Sequence, residues 1–381
     1  MMARLRVLMP VFNEIDFDGR VERCATAVGC DHDVTVLALD SGRPYVPSGF
    51  AVVRIAVPGL GRLRAVRPFL FWLGFLVEAL RRRPDLIHAH DYFMAFPGWL
   101  AARLLGVRLV YDAHELSIPT PGRAMRLSER VYLALERWMV GRAAAVIAAS
   151  AARARLMQDY YRLPDAPTVI RNIPAPPPPP DLDAIRARYP VLADRPDGLF
   201  RLVYQGYMPP QFGLDRFVAA VAALGEGWQL VLAGLGPALP ALERQIAETC
   251  PPGRVIVLGR VPRQDLPGIL RLCDAGIIAY GRELLNEIHC APNKVHEYAQ
   301  AGLPVVANAN PGLREIIEPW RIGVCGEEPG PAIAAVRRDY QAFRAAVATF
   351  AAQDRWDGEE AKLRTLYRRL TQPLPREPQP V

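Results

Sequence analysis

The chain has 381 residues, of which 51% are hydrophobic, and its formal net charge is +7. This composition excludes a globally disordered chain, and the length predicts two domains. The arginines are scattered along the chain instead of forming one basic segment, so no nucleic-acid partner is expected. The six cysteines show no C-x-x-C spacing and the N-terminus shows no long apolar signal segment, which favours a reduced, cytoplasmic chain.

In residues 1–172, short apolar runs alternate with helical patterns, which is typical of a doubly wound parallel sheet. The apolar runs are continuous, so the strands are expected to be buried on both faces. The predicted strands are 6–9, 34–39, 52–56, 86–89, 109–111, 146–149 and 168–170. The predicted helices are 21–28, 63–82, 97–105, 128–142 and 151–160.

Residues 173–199 begin with a proline run, IPAPPPPPD, and are predicted to form an extended linker between the domains. Residues 200–345 repeat the α/β pattern and predict a second domain. Its predicted strands are 201–204, 229–233, 255–258, 275–279, 304–307 and 323–324. Its predicted helices are 215–224, 240–249, 265–272, 293–301 and 313–317.

The C-terminal part of the chain has helical patterns. Residues 331–370 predict two helices separated at Trp356. Residues 346–381 are predicted to contain a C-terminal helix, with packing on the first domain as one possibility, and a frayed tail.

Polar residues of the first domain follow predicted strands, at the edge where open α/β sheets bind ligands. His90 and Asp91 end one strand, and His114 and Glu115 follow another. His114 is the better candidate for a proton donor or acceptor near a reacting sugar. No metal site is expected, because His88 and His90 have no obvious third ligand.

The segment 289–308 is the strongest local feature of the second domain. Asn293 is predicted to cap a helix, and Lys294 in its first turn offers a positive charge to a diphosphate. Glu297, three residues further on, offers a carboxylate to sugar hydroxyls. An exposed ion pair between Lys294 and Glu297 is the alternative interpretation.

Glycines follow two predicted strands of the second domain. Gly206, Gly234 and Gly236 would let a phosphate approach the backbone closely, or would simply allow tight turns.

The chain carries, in order, the segments LIHAHD, LVYDAHE, LVLAGLGP, VIVLGRVPRQDLPGIL and APNKVHEYAQAGLPVVA. From about Arg6 to about Gly326 it resembles the family-4 glycosyltransferases of the GT-B fold. The resemblance implies two Rossmann-like domains with parallel sheets facing a central cleft. It also implies transfer of a sugar from a nucleotide-sugar to an acceptor, with retention of configuration and without a metal or other cofactor. The acceptor, a glycan, a lipid-linked molecule or a small molecule, is not specified.

The resemblance and the polar residues at strand ends together assign three sets of side chains. The catalytic candidates are His114, Glu297 and Lys294. The donor contacts are assigned to Gly206, Gly234, Gly236, Val261, His289, Cys290, Ala291, Pro292, Asn293, Lys294 and Glu297, with Glu297 on the nucleotide ribose and Val261 meeting the base through its backbone. The acceptor contacts are assigned to Asp18, Arg20, His90, Asp91 and Glu115.

Three positions depart from the family pattern. His289 stands where the first glutamate of the E-x7-E motif is expected, and Tyr207 and Phe212 stand where a basic pair is expected. Lys294 or Arg282 would have to supply the missing positive charge. The departures favour one alternative, a non-catalytic or partner-dependent subunit. An enzyme of the same fold with different chemistry, such as a nucleotide-sugar epimerase, is a further alternative, for which the sequence offers no suitably placed acidic cluster.

The stretch Arg62–Arg83 is apolar in its middle and carries arginines at both ends. It predicts either an ordinary helix that covers the sheet or a helix that contacts a membrane surface, in which case the protein would be peripheral at the inner membrane face. The apolar run 68–80 is too short to span a bilayer, which needs about 20 residues.

Overall fold

The computed structural model describes residues 4–58 and 66–371. The chain divides into two compact units, Met1–Asn172 with Asp357–Val381, and Ile173–Trp356. Arg62 and Arg64 and the predicted helix start at residue 63 lie outside the described residues. Within the described part of the chain, none of the helices has the length and apolar character that crossing a membrane requires.

The first unit is built on a parallel sheet, as the continuous apolar runs predict. Its strands are β1 Arg6–Glu14, β2 Asp33–Leu39, β3 Ala51–Ile55, β4 Leu86–His90, β5 Arg108–Ala113, β6 Ala145–Ala148 and β7 Thr168–Val169. Its first helices are α1 Gly19–Gly29, α2 Arg67–Arg82, α3 Tyr92–Leu105, α4 Leu127–Met139 and α5 Ala151–Tyr161. The strand order is β3-β2-β1-β4-β5-β6-β7, so the direction of winding reverses between β1 and β4.

The second unit repeats this architecture. Its strands are β8 Phe200–Gln205, β9 Trp228–Ala233, β10 Val255–Gly259, β11 Ala275–Ile278, β12 Val305–Asn308 and β13 Gly323–Gly326. Its helices are α6 Leu182–Arg188, α7 Pro190–Ala193, α8 Leu214–Ala223, α9 Leu239–Thr249, α10 Leu266–Arg271, α11 Leu285–Ile288, α12 Lys294–Gln300, α13 Pro311–Trp320, α14 Pro329–Arg338 and α15 Tyr340–Gln353. The strand order β10-β9-β8-β11-β12-β13 places the reversal between β8 and β11.

The chain then returns to the first unit through a last helix, α16 Trp356–Thr371. The Tyr367 hydroxyl lies 2.8 Å from His88 Nδ1 in the core, and the buried Glu359 carboxylate accepts hydrogen bonds from Arg171. An exposed ion pair between Arg364 and Asp31 holds the same helix at its outer side.

Two of the predicted segments differ in the structure. Residues 173–199 are extended only through the prolines; Asp181 caps α6 by accepting hydrogen bonds from two backbone N–H groups, and α7 follows. The prediction of two helices over 331–370 is wrong, because the chain breaks at Asp339 as well and forms α14, α15 and α16.

Helix α3 begins at Tyr92, five residues before the predicted start at residue 97. Pro97 lies inside the first two turns, and the Asp91 side chain accepts a hydrogen bond from the Tyr92 N–H at the start of the helix. The proline therefore does not mark the beginning of α3.

Candidate functional site

The second unit concentrates polar groups where β8 and β11 end. This edge of a doubly wound sheet is where such folds bind ligands. The connections that leave β8 and β11 run to opposite sides, which leaves a crevice between them. Tyr298 on α12 fixes the helix there: its hydroxyl donates toward the Ile277 carbonyl, 3.1 Å away, and accepts from the Gln205 N–H, 3.2 Å away. Helix α12 therefore presents Lys294 and Glu297 at the crevice.

Glu297 lies at the wall of a cavity of about 590 Å³. Its carboxylate accepts a hydrogen bond of 2.5 Å from Gln205 Nε2, which holds the acid in place beside the end of β8. Part of the lining comes from the proline run, and Gln300 Nε2 donates to the Pro174 carbonyl at one end of that run. The lining residues are Pro174, Ala175, Pro177–Pro180, Gln205, Arg263, Gln264, Leu266, Pro267, Leu270, Arg271, Glu297, Gln300 and Ala301.

Lys294 lies close to two tyrosine rings, one helical turn before Glu297. Its Nζ donates to the Tyr204 hydroxyl at 3.2 Å and lies 4.4 Å from the Tyr204 ring centroid and 5.6 Å from that of Tyr280. Burial lowers the pKa of Lys294 to about 8, and the charge of Glu297 opposes this shift. The ammonium group is thus held beside two aromatic faces at low dielectric, where it interacts strongly with an added anion.

The three predicted glycines have two different roles. A Cβ on Gly234 would overlap the Gly206 carbonyl, and a Cβ on Gly236 would overlap the Met208 backbone, so both allow two loops to pack together. Gly206 has φ +111°, and a Cβ there would lie 3.3 Å from Lys294 Nζ. Of the three glycines, only Gly206 leaves its own backbone uncovered next to the Lys294 ammonium group.

The loop before α12 packs tightly against α13. Cys290 is buried, and a Cβ on Gly312 would overlap its backbone. The prediction that Asn293 caps α12 with its side chain is wrong, because the side chain makes no capping hydrogen bond and the residue is itself in a helical conformation. Ala291 and Asn293 are half-buried, Pro292 is buried, and Val261 is half-buried after β10.

The positions that depart from the family pattern carry no acidic or basic substitute. His289 ends α11, Tyr207 is exposed, and Phe212 packs on Tyr280 with 4.9 Å between the ring centroids. Arg282 donates to Glu327 at 2.7 Å and so is already occupied by a carboxylate. Lys294 is therefore the better of the two candidate cations.

Glu287, a buried glutamate on α11, was not predicted from the sequence. Its Oε1 accepts from Gln211 Nε2 at 3.3 Å, and its Oε2 has no hydrogen-bond partner. The carboxylate lies against Gly281 in the loop after β11. The family pattern expects an acid at position 289, whereas Glu287 lies two positions earlier, on the short helix that His289 follows.

The edge of the first sheet contains a buried ion pair. Arg20 donates to both oxygens of Asp112, at 2.6 and 3.0 Å, and to the Ile170 carbonyl at 2.8 Å. Both side chains are almost fully buried. Arg20 was predicted to contact the acceptor from a loop. The structure instead places it in α1, where its guanidinium donates to Asp112 and to the Ile170 carbonyl next to β7.

His90 and His114 surround the same carboxylate. His90 Nδ1 and His114 Nε2 are 3.1 Å apart, and they lie 3.4 and 3.6 Å from Asp112 Oδ2. Burial lowers the pKa of His90. Burial also acts to lower the pKa of His114, but Asp112 overcomes it, so that pKa is raised. His114 retains partial exposure, which makes it the histidine of this cluster that can meet a ligand.

Asp18 and Asp91 lie at helix starts on this edge. Asp18 accepts from the Val21 N–H and from Asn13; burial acts to raise its pKa, but His114 and these hydrogen bonds lower it below the ordinary value. Burial raises the pKa of Asp91 to about 6. Asp91 also has φ 64° and ψ 163°, a conformation that is essentially restricted to glycine and is found at functional sites. Glu115 is exposed beside His114.

One group of described residues has the spacing of metal ligands: His88, His90 and Asp112, whose ligand atoms lie within 4.8 Å of one another. Arg20 already places a positive charge on both oxygens of Asp112. A metal ion would have to displace that guanidinium in a fully buried position, so the donor set does not suit a cation.

A second cavity, of about 610 Å³, opens in the first unit beside Arg4, His32 and Arg364. Arg4 and His32 precede β1 and β2, so this cavity lies at the amino ends of the strands. It is at the opposite edge of the sheet from Asp18, Asp91 and His114 and is not part of the candidate site.

Comparison with known proteins places the chain in a family. Residues 21–173 match the model of the glycosyl transferase 4-like domain, and residues 200–352 match that of the glycosyl transferases group 1. The chain therefore belongs to the family-4 type of glycosyltransferases, and it has their GT-B fold. The predicted resemblance and fold class are confirmed.

Individual relatives are distant in sequence. Glycogen synthase of Mycobacterium tuberculosis (strain H37Rv) is 28% identical over 249 residues, which are 64% of this chain and 56% of that protein. The match spans little more than half the length of that relative. The 2-deoxystreptamine glucosyltransferase of Streptomyces kanamyceticus is 27% identical over 323 residues, which cover 78% of this chain and 81% of the relative.

Solved structures share the fold over nearly the whole chain. Sucrose-phosphate synthase from Thermosynechococcus elongatus superposes with a TM-score of 0.76 at 17% identity, covering 96% of this chain and 99% of that one. HepE of Anabaena, solved with UDP-glucose, gives a TM-score of 0.71 at 18% identity, covering 97% and 100%.

Proposed function

We propose that this protein transfers a sugar from a nucleoside-diphosphate sugar to an acceptor hydroxyl group, with retention of anomeric configuration and without a metal ion. The observation that carries the proposal is the ammonium group of Lys294 one helical turn from Glu297, which lines the cavity together with Gln205. Family membership supports the transferase class.

The cavity suits the nucleoside part of the donor. Glu297 is oriented by Gln205 and offers carboxylate oxygens to the ribose hydroxyls. The remaining lining is mostly proline and leucine with polar tips from Arg263, Gln264 and Arg271, a mixture typical of small-molecule pockets. HepE shares the fold and was solved with UDP-glucose, so a uridine donor is the first one to test.

Lys294 suits the diphosphate. Departure of the nucleoside diphosphate builds up negative charge on the phosphate oxygens, and a preorganised cation at low dielectric stabilises it. The aromatic faces of Tyr204 and Tyr280 flank the ammonium group without neutralising it. A metal ion is not needed in this scheme, because Lys294 supplies the charge.

Acceptor binding is assigned to the first unit. Asp18, Asp91 and His114 lie at the carboxyl edge of its sheet, and Asp91 is held in a strained conformation there. His114 stands within reach of a ligand while Asp112 stabilises its protonated form. Retention needs no protein nucleophile, because the departing phosphate itself can accept the proton of the attacking hydroxyl on the same face.

The test is a thermal-shift panel of UDP, GDP, ADP, CMP and dTDP with wild type and Glu297→Ala. A ligand that binds the folded state raises the unfolding temperature by mass action, so one nucleotide is expected to stabilise wild type and not the variant. Glu243→Ala, which removes an exposed glutamate on α9, is the matched control and should keep the shift.

A partner-dependent subunit is the second candidate, because His289, Tyr207 and Phe212 replace the charged residues expected there. Absence of any shift across the panel would contradict the donor pocket and favour this alternative. Binding without turnover, restored by a co-encoded protein, would support partner dependence. Turnover by the isolated chain in the presence of EDTA, with retained configuration in the product, would support the full proposal.

A further inference from the structure

Helix α2 is apolar on two faces. Phe71, Phe75 and Ala79 are buried against the sheet. A second row at helical spacing points outward: Phe69, Leu73, Val77 and Leu80 are 56%, 62%, 56% and 50% exposed. Exposed apolar residues that occur singly need no explanation, but a row along one helix indicates a surface that something covers.

A second exposed row lies on α4. Leu127, Val131 and Trp138 recur at helical spacing and are 76%, 47% and 42% exposed. Helices α2, α3 and α4 pack side by side in the first unit. The two exposed rows therefore lie on the two helices that flank α3. We call these rows, together with the rings that join them, the aromatic face.

Aromatic rings join the two rows. Phe69 contacts Trp72, whose ring is 6.3 Å from that of Tyr132 on α4. On α3, Trp99 packs edge-to-face on Trp138 with 4.2 Å between the centroids. Tryptophan and tyrosine are amphipathic and favour the boundary between hydrocarbon and water.

The helices that carry the aromatic face have a net positive charge. The acidic residues of these helices are engaged or buried: Glu78 accepts from Arg81 and Arg82, Glu129 from Arg123, and Glu136 is buried against Tyr111. Helix α3 has no acidic residue. The arginines of the three helices and their ends are Arg67, Arg81, Arg82, Arg83, Arg103, Arg126, Arg130, Arg137 and Arg142.

We propose that the aromatic face docks the protein on an anionic phospholipid surface. The apolar rows and rings insert among the acyl chains near the headgroups, and the surrounding arginines attract the negative headgroups. Arg142 lies over the Trp138 ring at 4.5 Å, so its charge can remain at the headgroups while the ring enters the apolar layer. The docking does not depend on the transferase function, although it would bring a lipid-linked acceptor within reach.

The test is sedimentation of the full chain with vesicles of phosphatidylcholine alone or mixed equally with phosphatidylglycerol. Wild type is expected to bind the anionic vesicles, more weakly at high salt, and to leave the neutral vesicles in the supernatant. The double variant Leu73→Glu with Val77→Glu should bind at least about tenfold more weakly, because two side chains no longer leave water. Both positions are exposed, so the fold should persist.

The matched control is Val46→Glu with Val191→Glu, two exposed valines outside the aromatic face. The control should bind like wild type. Blue-shifted tryptophan emission and quenching by brominated lipids should accompany wild-type binding and weaken in the Leu73/Val77 variant. The nucleotide thermal shift of that variant should stay unchanged, which separates this proposal from the donor pocket.

Three results would overturn the inference: no binding of wild type to anionic vesicles at low salt, equal binding by the Leu73/Val77 variant, or equal binding to neutral vesicles. Light scattering gives a fourth. A dimer that the Leu73/Val77 variant abolishes, with no lipid binding by either protein, would show that the face is an interface between two copies of this chain.

Discussion

At the scale of single residues, Lys294 stands out because the chain contains only one other lysine, Lys362, among 46 basic residues. Arginine keeps its charge in almost any environment, whereas a buried lysine shifts its pKa. The position between Tyr204 and Tyr280 therefore makes the proposed phosphate contact sensitive to pH.

The affinity for the nucleotide should fall as pH rises through about 8, the pKa of Lys294. Below this pH the ammonium group is charged and attracts the diphosphate; above it the charge is lost. We expect roughly tenfold weaker binding at pH 9.5 than at pH 7, the size of one charge-assisted hydrogen bond. Isothermal titration at several pH values measures this.

Lys294→Met should bind weakly and with little pH dependence over the same range. Lys362→Met is the control, since Lys362 pairs with Glu359 on α16 and is not among the residues that line the cavity. A pH profile of Lys294→Met that matches wild type would show that another group carries the effect.

The sequence allowed Lys294 and Glu297 to be predicted because both lie in one short segment with a recognisable pattern. It did not reveal Tyr204, Gln205 and Tyr280, which come from β8 and the loop after β11 and meet α12 only through the sheet topology. The sequence also did not show that Arg20 is buried while other arginines are exposed, because its burial depends on Asp112, 92 positions away.

At the scale of elements, the Arg20–Asp112 ion pair joins α1 to β5. Burial acts to raise the pKa of Asp112, but Arg20 holds it well below its ordinary value. The pair therefore stabilises the fold above the unfolded carboxyl pKa of about 4, and this contribution is lost as pH falls through the lower folded value.

Arg20→Met should destabilise the first unit by about 3–5 kcal/mol at neutral pH, because it leaves a buried carboxylate without its partner. The loss should shrink in acid, where Asp112 becomes protonated in the variant. Amide hydrogen exchange of β5 measures the change in this unit alone.

Arg6→Met provides the control for this ion pair. Arg6 also pairs with an aspartate, Asp85, but both side chains are substantially exposed, so the expected change is at most about 1 kcal/mol. Equal effects of the two substitutions on β5 exchange would contradict the assigned role of the buried pair.

Strands were predictable because burial on both faces requires continuous apolar runs, as the fully buried β4 and β8 show. Helix boundaries were less predictable from the sequence than strands. The proline run led to the prediction of an extended linker over residues 173–199, but Asp181, a residue type that favours helix caps, starts α6 directly after it. The break at Asp339 carries no glycine or proline and so escaped the same reasoning.

At the scale of the whole molecule, the first unit is discontinuous in sequence, because α16 follows the complete second unit. Tyr367→Ala should destabilise the first unit by about 3–5 kcal/mol, since a fully buried ring is lost and His88 loses its hydroxyl partner. Hydrogen exchange should rise in β4 and β5.

The second unit should be unaffected by Tyr367→Ala, and its nucleotide affinity should equal that of wild type. Arg368→Ala, at an exposed position of α16, is the control and should change neither unit. A large loss of nucleotide affinity in Tyr367→Ala would mean that the donor pocket depends on the packing of α16.

The position of α16 also sets an order of events during synthesis. The ribosome synthesises residues 1–172 before Glu359 and Tyr367. Until those two residues emerge, Arg171 and His88 of the first unit lack their hydrogen-bond partners. The second unit, continuous from Ile173 to Trp356, is complete before the last helix emerges. The N-terminal half of the chain is therefore the last to finish folding, and a nascent chain stalled before α16 should expose it to chaperones and proteases.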